Sequence, residues 1–294
     1  MKPLHFLFAS LISTAATFAA DKTPPVVWSL TQGIQAPESA YYDAKTGFVF
    51  LSQIGAGGGK ADDGDGWISK LTPDGKMIKN KWVTGLSAPK GIRIHKGTLW
   101  VSDITRLVAI NIATGKIRKK IEIKDAQFLN DVATGPDGTV YVSDMVAGKV
   151  HAHKQGRTSV FAEGPGVEHP NGLLVHRGRL YLGSWGRNLQ DDFSTDPLGH
   201  LLAIHLRSKK LSVISGKPLG NLDGVEVDGQ GGFILTDWRA GKVLHLTGKG
   251  KPTTLLTLPA GTADHAYIVK RKLLILPRMK DNTVTAYDLS SFLN

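Results

Sequence analysis

The sequence predicts an all-β fold, a six-bladed β-propeller with four antiparallel strands in each blade. One phrase recurs six times: a short apolar strand that ends in a small residue, often followed by aspartate. Its copies span 48–52, 99–103, 140–144, 180–184, 233–237 and 273–277. A turn signal precedes each copy, further short strands flank it, and no segment keeps a helical period. Four-stranded repeats of this length are typical of propeller blades.

The last repeat is one strand short. After the sixth copy only residues 283–289 form a clear strand, whereas the apolar segment 26–30 is left over near the N-terminus. We therefore expect this N-terminal strand to complete the last blade and close the ring. A β-sandwich is the structural alternative, and six repeats in phase argue against it.

The N-terminus has the pattern of a secretory signal peptide over residues 1–20. Lys2 precedes an apolar run from Leu4 to Phe18, and Ala19 and Ala20 provide the small residues before the expected cleavage. The run is shorter than the about 20 apolar residues that a membrane span needs. We expect an exported protein, periplasmic or secreted, whose residues 21–294 form a single propeller domain without a membrane span.

Composition narrows the chemistry. The 294 residues include no cysteine, which excludes thiol catalysis, cysteine metal sites and disulfides. The net charge of +11 comes from lysines scattered through turns, and such a field favours anionic partners in general. No nucleic-acid-binding motif accompanies it. The expected partner is a small-molecule substrate, for which the charge allows an anionic group, and not a nucleic acid.

The repeat brings a ring of polar residues together. The position 12 to 14 residues before each terminal small residue begins the innermost strand, and it recurs every 40 to 52 residues. It holds Glu38, Lys90, Asn130, Asn171, Asp223 and Asp264. These side chains carry three acids and one lysine, and their oxygen donors suit a hard divalent cation such as Ca²⁺. A channel lined with hydrogen-bonding side chains and filled with water is the alternative.

From Ala36-Pro37-Glu38 to the C-terminal strand, the chain resembles the regucalcin (senescence-marker-protein) and gluconolactonase group of calcium-dependent propellers. The motifs that carry the resemblance are Glu38 in the first blade, Asn171-Gly172, Asp223-Gly224 and Asn130-Asp131. The resemblance implies one calcium ion held by Glu38, Asn171 and Asp223, with Asn130 at or near the metal.

Departures from the family pattern concern the substrate. Phe128 stands where many lactonases of the family have an arginine that contacts substrate, and Val132 stands where glycine is common. Lys90 and Asp264 add charges that a sugar lactonase does not obviously need. The resemblance therefore predicts the metal site of this chain better than it predicts the substrate.

The leading hypothesis is a metal-dependent hydrolase that opens a lactone or related ester. In it, Asp223 or Asp264 deprotonates the attacking water, and Lys90 holds an anionic group of substrate or product. Asn130, Phe128 and His169 complete the candidate substrate-binding residues, His169 as a possible proton shuttle.

Two alternatives stay open. A calcium-stabilised binding or scaffold propeller would perform no chemistry, and a related enzyme would act on an organophosphate or aryl ester. Two further features are interpreted as structural. The acidic segment 62–66 lacks the full spacing of a calcium loop and is expected to be a solvated turn that overhangs the channel mouth, and Asp103, Asp144 and Asp237 are expected to cap turns.

Overall fold

A computed structural model describes residues 23–248 and 250–293. Within these ranges the chain forms six four-stranded antiparallel sheets, and the predicted six-bladed propeller is confirmed. The predicted signal peptide, residues 1–20, lies outside the described residues. No helix among the described residues is long and apolar enough to cross a membrane.

Each of blades 1 to 5 takes four consecutive strands, the first of them innermost. Blades 1 and 2 contain β2 (Pro37–Asp43), β3 (Phe48–Gln53), β4 (Gly66–Leu71), β5 (Met77–Leu86), β6 (Pro89–His95), β7 (Thr98–Asp103), β8 (Arg106–Asn111) and β9 (Ile117–Glu122). Blades 3 and 4 contain β10 (Leu129–Thr134), β11 (Val140–Asp144), β12 (Lys149–Lys154), β13 (Arg157–Glu163), β14 (Pro170–His176), β15 (Arg179–Ser184), β16 (Leu201–His205) and β17 (Leu211–Val213).

Blades 5 and 6 complete the ring. They contain β18 (Leu222–Val227), β19 (Phe233–Asp237), β20 (Lys242–Leu246), β21 (Pro252–Thr257), β22 (Ala266–Ile268), β23 (Leu273–Arg278), β24 (Thr283–Asp288) and β1 (Val26–Leu30). Short 3-10 turns cover Pro165–Val167, Val269–Arg271 and Met279–Asp281.

The N-terminal strand closes the last blade, as the sequence predicts. β1 pairs antiparallel with β24, with Trp28 opposite Ala286 and Leu30 opposite Val284. The indole N–H of Trp28 also donates to the carbonyl oxygen of Pro73 in blade 1 at 2.9 Å. The two ends of the chain therefore hold blades 6 and 1 together.

Apolar side chains fill the spaces between neighbouring blades. Phe50 and Ile68 of blade 1 pack with Ile92 and Val101 of blade 2, and all four are fully buried. A lone blade would expose both of its faces to water, whereas a closed ring covers each blade with two neighbours. Burial of this surface is the main stabilising contribution in a chain without disulfides.

Five innermost strands share an irregularity that directs a side chain into the channel. In β2, β6, β10, β14 and β18 the strand pairing is interrupted by a bulge after the first residue. The second residues of these strands are Glu38, Lys90, Asn130, Asn171 and Asp223. A bulge leaves its residue out of the regular ladder and re-aims the side chain. In five blades, a bulge of the backbone therefore directs the side chain at the predicted ring position into the channel.

Blade 6 departs from this pattern. β22 begins only at Ala266, so Asp264 precedes the strand and does not occupy the second position of an innermost strand. Its backbone instead bridges to Ser39 of blade 1 in a parallel pairing. The sixth ring position is therefore not equivalent to the other five.

Candidate active site

One end of the channel opens into a cavity of about 890 Å³. The five second-position residues line it together: Glu38, Lys90, Asn130, Asn171 and Asp223. All five are buried, with Glu38 at 4%, Asn171 at 1% and Asp223 at 3% exposure. Five separate blades thus bring these side chains to a single site, although they are far apart in sequence.

The terminal small residue of the repeat holds this arrangement. The hydroxyl oxygen of Ser52 accepts the N–H of Ser39 at 2.9 Å, and Thr236 accepts that of Gly224 at 2.7 Å. Each of these N–H groups follows a second-position residue and would otherwise lack a partner at the bulge. The recurrent serine or threonine therefore satisfies the bulge that points the site residue into the channel.

The repeated aspartates fix the loops that enter the innermost strands. Asp103 accepts the N–H groups of Ser87 and Ala88, with the shortest contact at 2.7 Å. Asp144 accepts that of Phe128 at 2.9 Å, and Asp237 that of Asn221 at 3.3 Å. These carboxylates bind backbone just before the site residues and lie outside the cavity lining.

Glycine follows three of the site residues because the next blade passes very close. A Cβ atom on Gly91 would lie 2.4 Å from the Cα of Asp131. A Cβ atom on Gly172 would lie 1.6 Å from the carbonyl oxygen of Asp223, and one on Gly224 would lie 2.5 Å from the ring of His265. The Asn-Gly and Asp-Gly pairs are thus packing requirements of the ring.

Three oxygen atoms at the cavity floor have no hydrogen-bond partner. They are Oε2 of Glu38, Oδ1 of Asn171 and Oδ1 of Asp223, each buried from solvent. Buried polar atoms are nearly always paired, and an unpaired one costs about 1–3 kcal/mol. Three unpaired acceptors in one cavity match a ligand that supplies positive charge.

Electrostatics of the floor agree with this. Burial raises the pKa of Glu38 to about 8, with Lys90 lowering it and Asp264 raising it further. Burial, then Glu38 and Asp264, raises the pKa of Asp223 well above its usual range. Both carboxyl groups thus hold their protons strongly unless a further positive charge lies beside them.

Lys90 does not supply that charge through an ion pair. Its Nζ donates to the carbonyl oxygens of Gly59 at 2.9 Å and Ala88 at 3.1 Å, and lies 4.5 Å from the ring centre of Phe128. No carboxylate lies within 4.0 Å of this nitrogen in the described part of the chain. Burial lowers the pKa of Lys90 to about 8, while Glu38 opposes the shift.

A metal ion would need amide as well as carboxylate ligands here. Within residues 23–248 and 250–293, no group of three or more His, Cys, Asp or Glu side chains is arranged to hold a metal. The donors at the floor are instead the carboxylates of Glu38 and Asp223 and the amides of Asn130 and Asn171. An all-oxygen set of this kind fits Ca²⁺ and not zinc.

Asp264 lies beside the site, where its N–H donates to the carbonyl oxygen of Glu38 at 3.0 Å. It does not line the cavity, and its carboxylate accepts the hydroxyl of Ser39 at 2.5 Å and the N–H of His265 at 2.9 Å. The sequence predicts it as a ring residue at the mouth, and the short β22 is the reason that it is not. Its side chain instead joins blade 6 to blade 1.

Asp131 and Arg93 occupy the channel away from the cavity. Asp131 accepts the N–H of Leu173 at 2.5 Å and thereby links blades 3 and 4. Arg93 forms an ion pair of 2.7 Å with Glu226 and donates to the carbonyl oxygens of Val132 and Leu173, each at 3.3 Å. Sequence reasoning missed Arg93, although an arginine among the apolar residues of an innermost strand is a detectable signal.

Not all of the candidate substrate-binding residues line the cavity. Phe128 lines the cavity, whereas His169 does not. Nδ1 of His169 is 2.8 Å from the carbonyl oxygen of Met145, and its backbone adopts a positive φ of 51°. His169 therefore supports the loop between blades 3 and 4 and does not face the cavity.

Two loops cover part of the opening. The insertion in blade 1 contributes Gly57 to Ala61, and the insertion in blade 4 contributes Asp192 and Phe193. In the acidic segment 62–66, Asp63 accepts the N–H of Asp65 at 3.1 Å, and Asp65 accepts that of Ala56 at 2.8 Å. The segment is a self-capped turn beside the mouth, as the sequence suggests.

Sequence reasoning also missed the apolar wall. Ile54, Met145, Trp185 and Trp238 line the cavity, and each directly follows the second strand of its blade. The signal is present in the repeat, since an apolar residue directly follows the last, polar residue of the second strand in Gln53-Ile54, Asp144-Met145, Ser184-Trp185 and Asp237-Trp238.

Comparison with known proteins supports the fold. No family model and no curated protein matches the sequence. Among solved structures, a gluconolactonase from Xanthomonas campestris matches at a TM-score of 0.65 and 14% identity, over 92% of this chain and 96% of that one. A virginiamycin B lyase from Staphylococcus aureus matches at 0.62 and 15%, over 89% and 98%.

A chain of the nidogen/laminin complex also matches, at a TM-score of 0.64 and 18% identity, over 79% of this chain and 88% of that one. At such identities a shared architecture does not carry a shared function, because propellers host many activities. Membership of the regucalcin group therefore stays a prediction from the sequence motifs.

Proposed function

We propose that the protein is an exported, calcium-dependent hydrolase that opens a lactone or related ester in the channel cavity. The observation that carries the proposal is the set of unpartnered oxygens of Glu38, Asn171 and Asp223 at the cavity floor. The fold adds coarse support, because propellers of this architecture include a gluconolactonase and virginiamycin B lyases.

Glu38, Asn171 and Asp223 would hold the cation, with the amide of Asn130 beside them. Four ligands from the chain are fewer than the six to eight oxygens that Ca²⁺ takes, so water and substrate can complete the set. When bound, the cation would polarise the ester carbonyl and stabilise the negative charge that develops on its oxygen.

Asp223 is the better placed of the two proposed general bases. It lines the cavity, so one of its carboxylate oxygens can hold the cation while the other accepts a proton, whereas both carboxylate oxygens of Asp264 accept hydrogen bonds. An ionised Asp223 can take a proton from a water molecule that attacks the carbonyl carbon. Asp264 would then act on Asp223 through its charge, since it contributes to the raised pKa of that group.

Lys90 would orient the reacting group. Its buried ammonium faces the cavity between Gly59 and Phe128, within reach of a carboxylate formed when the ester opens. Such a contact favours product-like negative charge and discourages neutral ligands.

Export is a separate part of the proposal. Mature protein from its native host should begin near Asp21 and be found outside the cytoplasm. Sequencing the N-terminus of the purified native protein measures this directly. Recovery of cytoplasmic protein that retains Met1 would contradict export and leave the catalytic proposal standing.

Calcium titration combined with lactone and ester hydrolysis tests the activity. Glu38→Gln, Asn171→Ala and Asp223→Asn should each weaken Ca²⁺ binding, and Asp223→Asn should also lower hydrolysis by about 10²–10⁴-fold. Asp63→Asn is the matched control, because this carboxylate belongs to the self-capped turn and should leave calcium affinity unchanged.

Each outcome separates the candidate functions. Calcium binding without hydrolysis across lactones, aryl esters and organophosphates would favour the binding or scaffold propeller. Hydrolysis confined to organophosphates or aryl esters would keep the cation site and change the substrate. An absence of divalent-ion binding at millimolar concentration would overturn the proposal.

A further inference from the structure

One side of the cavity is an aromatic wall contributed by blades 3, 4 and 5. The rings of Trp185 and Trp238 lie 6.1 Å apart at an angle of 48°, and those of Phe128 and Phe193 lie 5.9 Å apart at 56°. These side chains belong to one apolar cluster with Met145. Phe193 and Trp238 are only partly buried, so ring faces remain accessible to a ligand.

Cationic side chains lie directly against this wall. The Nζ of Lys60 is 5.2 Å from the ring centre of Phe193, that of Lys280 is 4.9 Å from Trp238, and that of Lys90 is 4.5 Å from Phe128. Lys60 and Lys280 are exposed at the rim, whereas Lys90 is buried. Three of the four rings, those of Phe128, Phe193 and Trp238, thus have an ammonium group within about 5 Å, which is the range of a cation–π contact.

The charges at the mouth do not cancel. Within the described ranges, none of these three lysines has a carboxylate within 4.0 Å. The acids that line the cavity are Glu38, Asp223 and Asp192. The first two would be balanced by the proposed dication, and Asp192 lies 3.9 Å from the guanidinium of Arg239. Three ammonium groups are left to meet an anionic ligand.

We propose that the cavity selects a ligand that combines an aromatic ring system with a carboxylate, and that a sugar lactone is a poor fit. The inference rests on the proposed function for the reaction, which would be hydrolysis of an ester or lactone bearing both groups. The ring system stacks on Trp185, Trp238 or Phe193, and the carboxylate contacts Lys60 or Lys280. A cavity of about 890 Å³ is of the size that encloses drug-sized ligands.

The probes are three small molecules that are not hydrolysed: naphthalene-2-carboxylate, its neutral carboxamide and gluconate. Isothermal titration of the mature protein in saturating calcium measures each affinity. We expect the naphthoate to bind about tenfold or more tightly than either comparison compound, since one lacks the charge and the other lacks the ring.

Matched variants test separately whether the lysines recognise the carboxylate and whether the aromatic side chains recognise the ring system. Lys60→Gln and Lys280→Gln should reduce the advantage of naphthoate over its carboxamide, while Lys210→Gln, on the turn before β17, should not change it. Trp238→Leu should weaken both naphthalene compounds about tenfold. Because Lys60 and Lys280 are exposed, their variants are expected to fold, and thermal unfolding checks this for every protein.

The results distinguish failure of the proposed ligand preference from failure of the proposed hydrolysis. Equal affinity for the naphthoate and the carboxamide, or tighter binding of gluconate, would overturn the specificity even if ester hydrolysis were observed. Conversely, selective naphthoate binding that responds to Lys60→Gln and Lys280→Gln would support the specificity even if no lactone or ester were hydrolysed. A preference that these lysine variants leave intact would also contradict the inference.

Discussion

The hydroxyl of Ser143, at the end of the second strand of blade 3, donates a hydrogen bond of 2.7 Å to the carbonyl oxygen of Asn171 in blade 4. The same hydroxyl oxygen accepts the N–H of Asp131 at 2.9 Å. One side chain thus satisfies the bulge of its own blade and the backbone of the site residue in the next. Ser102 makes the corresponding contact to the carbonyl oxygen of Asn130.

Ser143→Ala should therefore affect stability and the site together. Loss of the hydroxyl leaves a buried N–H and a buried carbonyl unpaired, which costs about 1–3 kcal/mol of unfolding free energy. Chemical denaturation measures this cost, and calcium titration measures the accompanying loss of affinity as Asn171 moves. Ser159→Ala, on the exposed face of β13, is the control and should change neither quantity appreciably.

Gly172→Ala tests the close approach of blades 4 and 5. The added methyl group would meet the carbonyl oxygen of Asp223 at 1.6 Å, so one strand must move away from the other. We expect destabilisation beyond the about 1–3 kcal/mol typical of overpacking, because the obstacle is backbone. Gly166→Ala is a matched substitution whose methyl group has its nearest contact at 3.4 Å and should cost little. Equal melting temperatures for the two variants would contradict this packing.

Much of the fold follows from the sequence because the repeat is regular where packing requires it. The apolar second strands, such as Val140–Asp144, are buried within the blades and their side chains pack against neighbouring blades, and their alternation and terminal hydroxyls recur for that reason. The leftover strand Val26–Leu30 pairs with the edge of β24, whose blade would otherwise have only three strands. Each of these features depends on local pattern and on the closure of the ring.

The site was less predictable where it depends on contacts between distant residues. Asp264 matches the ring position by spacing, but β22 is short and the contact with Ser39 holds its carboxylate outside the cavity lining. The pairing of Arg93 with Glu226 joins residues 133 positions apart, and no local pattern reveals it. Trp185 and Trp238 of the aromatic wall occupy a repeated position, but Phe193 depends on the loop 185–200, whose path sequence periodicity does not specify.

His265 gives a pH dependence of stability. Its side chain is fully buried, both ring nitrogens lack hydrogen-bond partners, and burial with the charge of Arg93 lowers its pKa to about 3. Between pH 6.5 and about 3 the unfolded chain binds this proton and the folded chain does not. The contribution of the neutral imidazole to the free energy of unfolding is therefore complete above pH 6.5, and it is lost as the pH falls towards 3.

Relative to His265→Gln, the wild type should lose up to about 1.4 kcal/mol of unfolding free energy per pH unit within that window. Comparing the two proteins removes the slopes of the carboxyl groups that they share. Chemical denaturation at several pH values provides the measurement, and His205→Gln, at a partly exposed position, serves as control. Parallel curves for wild type and His265→Gln would show that the imidazole is not held neutral.

The buried pair of Arg93 and Glu226 should contribute more to stability than any ion pair at the surface of the described structure. The guanidinium contacts blades 3, 4 and 5 from its own strand in blade 2 and lies 5.0 Å from the ring centre of Tyr41 in blade 1. Arg93→Met leaves Glu226 with an uncompensated charge in the channel and should cost about 3–5 kcal/mol. Chemical denaturation at neutral pH measures the loss.

A second substitution separates two contributions to the loss of stability, that of the ion pair between Arg93 and Glu226 and that of the packing of the arginine side chain. Adding Glu226→Gln to Arg93→Met should recover part of the loss, because the variant no longer buries a lone carboxylate. Arg271→Met breaks a 2.6 Å ion pair with Asp74 whose side chains are 41% and 73% exposed, and it should cost no more than about 1 kcal/mol. If Arg93→Met and Arg271→Met were equally stable, the arginine would not join the blades across the channel.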